Sequence, residues 1–350
     1  MKRNRLGRSA VEVTELGFGG GPLGGLFTPL DDDTAAAALA AAWDCGIRYF
    51  DTSPHYGIGQ SERRIGSFLR GKPRAEFTLS TKVGRLLIPQ EAAGRMDESF
   101  QVPATHRRVW DFSRDGVLRS FEDSLARLDT DRIDVLFLHD AEDHFEAALR
   151  DGYPALAELR AQHAVGAIGA GMYDTAKLTR LVQETDVDVV MLAGRYTLLN
   201  HSAVDDLLPA CAARGVSVLA VSVFNSGILA TPQARGRGDL RLRARRAGAI
   251  APGAPDRRCL RGARRDAAAG GDGVPAAAPR CRGHRDRHAL RRGGTAERRS
   301  VPGRGARRPV GRPAQRGPAG RARGDRLTHA VLLVRRPCAG CCRGSRAGAG

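Results

Sequence analysis

The stretch Asp134-Val135-Leu136-Phe137-Leu138-His139 holds four apolar residues in unbroken succession and ends on a histidine. A half-buried strand alternates apolar and polar residues, whereas an unbroken run marks a strand covered on both faces, as in a parallel sheet. Val189-Val190-Met191-Leu192 repeats the pattern. Working outward, strands are expected at 11–14, 16–19, 47–51, 77–82, 134–139, 167–171, 187–192 and 216–222, the first in an N-terminal hairpin. Helices are expected at 34–44, 61–69, 116–128, 153–162, 175–183 and 204–213, with Asp31, Asp32 and Asp33 as candidate caps of the first. Residues 83–111 read as one long irregular connection. Seven βα-type strands with intervening helices predict an α/β fold, a (β/α)8 TIM barrel one or two units short of closure. A doubly wound open sheet is the rival. It would carry a Gly-rich phosphate fingerprint that opens a helix. Here Gly17-Phe18-Gly19-Gly20-Gly21 leads directly into no helix, so the barrel is the better reading.

The charge of the chain divides in two. The 350 residues carry a formal net charge of +18, which by itself suggests a nucleic-acid partner. Residues 1–230 hold 25 basic and 31 acidic residues, net −6, whereas 231–350 hold 31 and 7, net +24. Every basic residue of the second part is Arg, and all 18 aromatics lie in the first part. A 120-residue segment without aromatics, with Ile250 as its one Ile, lacks the side chains that dominate core burial. It is expected to be disordered, not to fold alone. Of the seven cysteines five fall in this tail, and Cys338-x-x-Cys341 has no second pair at zinc spacing. Neither a disulfide framework nor a metal site is expected. No signal-peptide pattern opens the sequence, and the apolar run 330–334 is far too short to span a membrane. The cytoplasm is the expected compartment.

In a barrel, functional groups sit at the C-terminal ends of strands. Those ends carry Asp51, Lys82 and His139, with Tyr56 five residues beyond Asp51. A lone His ending a strand is more often a satisfied structural residue, and a lone Lys is usually solvated. Finding three such groups at the mouths of neighbouring apolar strands points to a shared site. Tyr56 is expected to act as the acid, its phenol pKa lowered by Lys82, with Asp51 holding Lys82 and His139 orienting the substrate oxygen. Such a set suits hydride transfer at a carbonyl or alcohol, where a proton moves with the hydride.

Phe50-Asp51-Thr52-Ser53-Pro54-His55-Tyr56-Gly57, followed by Ser61-Glu62, resembles the active-site segment of the aldo/keto reductases. Ser80-Thr81-Lys82-Val83 and the stretch ending at His139 resemble the second and third signature segments of that family, in order and spacing. The resemblance runs from about Leu6 to about Pro232. It implies the barrel, the Asp51, Tyr56, Lys82 and His139 tetrad, NADP or NAD as cofactor with no metal, and a sugar or aldehyde as small-molecule partner. Gly17 to Gly24 and Val223 to Leu229 look like the sugar-oxidising branch, with L-fucose and D-threo-aldose 1-dehydrogenases and pyridoxal 4-dehydrogenase. Cofactor contacts carried over are Gly20, Asp51, Met172, Tyr173, Tyr196, Ser222, Phe224, Asn225, Ser226, Gly227 and Leu229. Substrate contacts are Tyr56, His139 and Trp110, the last either stacking on a sugar or pyridine face or anchoring its loop. Two departures bear on the carboxamide of the nicotinamide. The usual Ser or Asn after strand five gives way to Gly169-Ala170-Gly171-Met172-Tyr173, and Ala193 stands where a Gln is usual. Some relatives of this fold are cofactor-sensing subunits, so a non-catalytic role is the alternative in function.

The resemblance ends where the composition changes, which divides the chain into a barrel at 1–232 and an Arg-rich tail at 233–350. The family needs a seventh helix, an eighth strand and a closing helix there, and none is visible. Arg, Ala, Gly and Pro share GC-rich codons. Reading Asp239-Leu240-Arg241-Leu242-Arg243-Ala244 one nucleotide later admits Thr-Phe-Asp-Tyr-Ala-Pro. The same offset from His284 to Gly294 admits a segment resembling the cofactor motif of strand eight. A frameshift between about Pro232 and Asp239 accounts for both, and leaves an impaired product. A nucleic-acid-binding tail is the rival. Such tails usually mix Lys with Arg and offer aromatics to bases, so nucleic acid is not the expected partner.

Overall fold

The computed structural model describes residues 1–226 and 331–334. Residues 331–334 of the Arg-rich tail form a strand where disorder is expected, because they are an apolar run that pairs with two barrel strands. The other expectations for the tail, the seventh and closing helices, and Gly227 and Leu229 lie outside the described residues. The chain opens with a hairpin of β1 (Arg3–Arg5) and β2 (Glu12–Thr14). The first barrel strand, β3 (Leu16–Gly19), leads through a 3-10 turn (Gly21–Gly24) to α1 (Asp32–Asp44). Asp31 caps that helix, its Oδ1 accepting from Thr34 N–H at 2.7 Å. Then come β4 (Tyr49–Asp51), α2 (Gln60–Leu69) and β5 (Thr78–Val83).

The next stretch corrects the sequence reading. Residues expected to be irregular form an antiparallel hairpin of β6 (Arg85–Pro89) and β7 (His106–Trp110). Period-2 alternation is weak there because Arg107 and Arg108 occupy the β7 arm beside Val109. The chain continues with α3 (Arg114–Leu128), capped by Ser113, and β8 (Val135–His139). A short α4 (Phe145–Ala147) runs through a π-helical turn (Ala148–Gly152) into α5 (Tyr153–Ala161), an extension ahead of the expected start. The series ends with β9 (Ala167–Met172), α6 (Thr175–Glu184), β10 (Val189–Ala193), α7 (Leu207–Arg214) and β11 (Ser217–Val221). α7 begins three residues later than expected, after a turn around Val204.

Strands β3, β4, β5, β8, β9, β10 and β11 pair in parallel, the seven expected. The eighth place holds β12 (Val331–Val334), which completes a closed wall. It runs antiparallel to both neighbours, pairing Val218 with Val334 and Gly17 with Val331. The edges of β3 and β11, which the sequence reading leaves open, are thus joined over a few residues. The parallel strand of an eighth βα unit is absent among the described residues.

Side-chain parity explains where the chemistry sits. Successive residues of a strand point to opposite faces. Tyr49, Val135, Phe137, Val189, Met191 and Leu219 pack together with Leu6 and Val13 of the hairpin, filling the barrel interior. Phe50, Leu79, Leu136, Leu138, Val190 and Leu192 join the larger cluster beneath the helices. Asp51 therefore follows Tyr49 inward, and His139 follows Phe137. Ser80 and Lys82 share the inward parity of β5, between the outward Leu79 and Val83. Four polar side chains at the top of the packed interior are the outcome.

Candidate active site

Asp51, Lys82 and His139 are buried, and Tyr56 is partly exposed beside them. Lys82 Nζ donates to Asp51 Oδ2 and to the Thr52 carbonyl, both at 2.7 Å. The other carboxylate oxygen, Asp51 Oδ1, accepts from Ser80 Oγ at 2.7 Å, and Ser80 meets the Tyr49 hydroxyl at 3.0 Å. Burial alone pulls the Lys82 ammonium down, but the Asp51 carboxylate and the Tyr56 phenol outweigh it and raise its pKa. Burial raises the Asp51 carboxyl, against the pull of Lys82 and Ser80.

Lys82 Nζ lies 4.7 Å from the centre of the Tyr56 ring, and that ring stands edge-on to His139 with centroids 5.7 Å apart. The structure thus brings all four candidate residues together. It corrects one expectation: the Tyr56 phenol is raised, not lowered. Burial disfavours the phenolate by more than Lys82 favours it, and Asp51 and Asp140 add to burial.

The loop bearing Tyr56 is set by glycines. Gly57 adopts φ +60° and Gly59 φ +85°, a left-handed region that costs other residues strain. A Cβ on Gly24 would fall 2.4 Å from Gly57 N, so the 3-10 turn after β3 can approach Tyr56 only as glycine. Gly20 N–H donates to the Asp51 carbonyl at 2.7 Å, and Ser61 Oγ donates to the Gly20 carbonyl at 2.7 Å. Glu62, fully buried, accepts from Thr81 Oγ1 at 2.7 Å and Arg127 Nε at 2.6 Å, tying this loop to β5 and α3.

His139 Nδ1 meets Ser53 Oγ at 2.9 Å, and Nε2 lies 3.6 Å from Asp140 Oδ2. Burial, then the positive charges of Arg85 and Lys82, hold the imidazole well below its ordinary pKa. It is neutral at pH 7. The hairpin walls this side. Phe100 packs on His55 and Tyr56, and Arg108 donates to the His55 carbonyl at 3.1 Å and to Asp97 at 2.6 Å. Trp110 is 39% exposed, stacked on Phe112 with the Arg85 guanidinium 4.1 Å from its ring centre. With the His144 ring centroid 5.0 Å away as well, Trp110 is anchored on its ring by three neighbours while remaining partly exposed.

On the cofactor side, Met172 is buried at the end of β9, Tyr173 is exposed, and Tyr196 is partly buried beyond β10. Ser222, Phe224, Asn225 and Ser226 form a turn after β11, in which Ser222, Asn225 and Ser226 have φ between +49° and +56°. Left-handed residues in such a turn aim backbone N–H groups into a concavity suited to an anion. Gly169 is forced by packing, since a Cβ there would lie 1.7 Å from the Val189 carbonyl oxygen. No group of three or more His, Cys, Asp or Glu residues is arranged to hold a metal among the described residues.

Sequence reasoning missed Ser53, Phe100, Arg108, Arg85 and Asp140. Ser53 and Asp140 stand next to residues already singled out, so adjacency was their signal. Phe100 and Arg108 carry none, because the hairpin that brings them over the site was read as loop.

The family model described as "Aldo/keto reductase family" matches residues 15–248. D-threo-aldose 1-dehydrogenase of a Pseudomonas species is 49% identical over 227 residues, covering 63% of this chain and 69% of that protein. Pyridoxal 4-dehydrogenase of Microbacterium luteolum is 41% identical, covering 66% of this chain and 73% of that protein. Among solved structures, the holo form of an aldo-keto reductase from Bacillus halodurans superposes with a TM-score of 0.56 at 27% identity. That match covers 68% of this chain and 72% of the other. The family resemblance is thus borne out, and the chain belongs to the aldo/keto reductase family of oxidoreductases.

Proposed function

We propose that residues 1–232 carry the site of an NAD(P)-dependent oxidoreductase acting on an aldose or a similar polar aldehyde or alcohol. The observation that carries the reading is the buried Lys82–Asp51 ion pair beneath a partly exposed phenol, with a neutral imidazole edge-on to it. The 49% identity to a D-threo-aldose 1-dehydrogenase supports the aldose.

The residues fit a dinucleotide at its reactive and pyrophosphate parts. Met172, Tyr173 and Tyr196 offer surface at the barrel mouth, and the Ser222–Ser226 turn offers an anion concavity. We assign the cofactor side to these together with Gly20 and Asp51. NAD(P) bound there supplies the hydride acceptor or donor. Tyr56 moves the proton at the substrate oxygen, and Lys82 stabilises the phenolate whenever the proton leaves. Asp51 keeps Lys82 charged and in place. Neutral His139, in the tautomer whose Nδ1 accepts from the Ser53 hydroxyl 2.9 Å away, offers an Nε2–H to the substrate oxygen. Because burial raises the phenol, oxidation of an alcohol is expected to speed up as pH rises.

The same proposal holds that 233–350 arise from a shifted reading frame, that the chain as written is impaired, and that the enzyme is cytoplasmic. The antiparallel β12 in the eighth place supports the impairment. Among the described residues no helix is long and apolar enough to cross a membrane. The test compares this chain with a frame-restored version, incubated with NAD⁺ or NADP⁺ and a panel of sugars while reduced-cofactor absorbance is followed. The restored version is expected to turn over an aldose, and Tyr56→Phe in it to abolish turnover while sparing cofactor binding. Turnover retained without the phenol refutes the assignment. Cofactor binding without oxidation of any aldose, alcohol or pyridoxal supports a sensing role instead.

A further inference from the structure

The side of the site next to His139 carries an ion pair that the proton-transfer chemistry does not use. Asp140 follows His139 directly and adopts φ +42°, a left-handed conformation uncommon outside glycine. Its N–H donates to the Gly171 carbonyl at 2.8 Å, which anchors the twisted residue to the neighbouring strand. The twist brings Asp140 Oδ2 to 3.6 Å from His139 Nε2 while leaving the side chain 38% exposed. Arg85, the first residue of β6, donates to the same carboxylate oxygen and is only 11% exposed. Its Nε–H has no partner among the described residues, so the carboxylate and the Trp110 ring, 4.1 Å from the guanidinium, hold it.

We propose that Asp140, positioned by Arg85, forms a specificity-determining wall that selects an uncharged, polyhydroxylated substrate. This inference rests on the reading of the site as an aldose-handling one and adds which aldoses it admits. An exposed carboxylate beside the reacting oxygen accepts hydrogen bonds from neighbouring hydroxyls, and charged acceptors give the stronger bonds. A ring without further hydroxyls leaves the carboxylate without donors, which is where polar sites discriminate most. Charge sets the second filter. Lys82 is matched by Asp51, Arg85 by Asp140 and Arg108 by Asp97, so no cation is left over in these pairs to receive a sugar acid. A uronate would meet the Asp140 carboxylate instead.

The test measures binding to the full chain by ligand NMR titration, with three probes. L-Fucose is neutral and polyhydroxylated. Tetrahydropyran-2-ol is the same lactol ring without the other hydroxyls, and D-galacturonate adds a charge. The parent is expected to favour L-fucose over tetrahydropyran-2-ol by roughly 10-fold or more. Asp140→Asn, nearly isosteric and able to keep one bond to Arg85, is expected to cut that ratio by about 10-fold and to raise galacturonate relative to fucose. The double variant Asp140→Ser with Arg85→Met removes the pair together, leaves no buried charge behind, and is expected to lose the same ratio. An unchanged fucose to tetrahydropyran-2-ol ratio in both variants overturns the inference and leaves the oxidoreductase reading standing. A parent that binds neither ring, in this chain and in its frame-restored version alike, overturns both.

Discussion

Replacing Lys82 with Met removes the one cation paired with the buried Asp51 carboxylate among the described residues. Asp51 Oδ1 keeps the Ser80 hydroxyl, but Oδ2 loses its donor. The carboxylate then either stays charged in a dry site or takes up a proton, and the second route caps the penalty. Protonating a carboxyl whose unfolded pKa is about 3.9 costs roughly 4 kcal/mol at pH 7 and roughly 1.5 kcal/mol at pH 5. The first value agrees with the roughly 3–5 kcal/mol typical of breaking a buried pair. The sign follows from proton counts. In the native variant Asp51 holds a proton that the unfolded chain releases above about pH 4, so stability falls as pH rises, by about 1.4 kcal/mol per unit. Urea unfolding of the full chain, followed by circular dichroism at pH 5, 6 and 7, reads this slope directly. The double variant Lys82→Met with Asp51→Asn should recover most of the loss and show no such slope. A loss under about 1 kcal/mol at pH 7, or one that does not change with pH, would mean that Asp51 is not confined to a dry site.

His139 is held neutral by burial and nearby cations, with a folded pKa well below its ordinary value. The unfolded chain therefore binds a proton there first, and stability should decline by up to about 1.4 kcal/mol per unit as pH falls below about 6.5. Comparing unfolding of the parent and His139→Gln between pH 7 and 5 isolates that contribution, and equal slopes would contradict the assignment. Gly169→Ala should cost roughly 4 kcal/mol or prevent folding, since the added carbon would lie 1.7 Å from a backbone oxygen that cannot move alone. Gly171→Ala, whose Cβ would meet Met191 and Lys82 at 3.6 and 3.9 Å, should be tolerated, and thermal melts that rank the two alike would undo this packing argument.

The barrel was legible because its strands are apolar on both faces, and the runs at 135–138 and 189–192 leave little room for another reading. The tetrad was legible because strand ends combine a fixed parity with a fixed direction, so Asp51, Lys82 and His139 had to converge once the strands were parallel. The hairpin of β6 and β7 was not legible. Its arms are partly covered and carry arginines whose charges pair with Asp97 and Asp140, one of them with its guanidinium over the Trp110 ring. Such residues break the alternation that marks a strand. The raised phenol of Tyr56 was hidden for a related reason. Sequence supplies the sign of the nearest charge, but burial, which prevails here, depends on Phe100 and its neighbours arriving from a segment some forty residues away.

The direction of β12 has a cost that its hydrogen bonds conceal. Each parallel strand delivers its chain to the mouth of the barrel, where the following helix can turn the positive end of its dipole toward a bound anion. In β12 the order is reversed: Leu332 pairs with Ala220 toward the mouth end of β11, and Val334 pairs with Val218 toward the opposite end. The chain therefore leaves this strand at the floor. One sector of the wall is joined by hydrogen bonds yet receives no helix start at the rim from its own strand. A barrel wall can thus be complete as a hydrogen-bonded surface and incomplete as an electrostatic one.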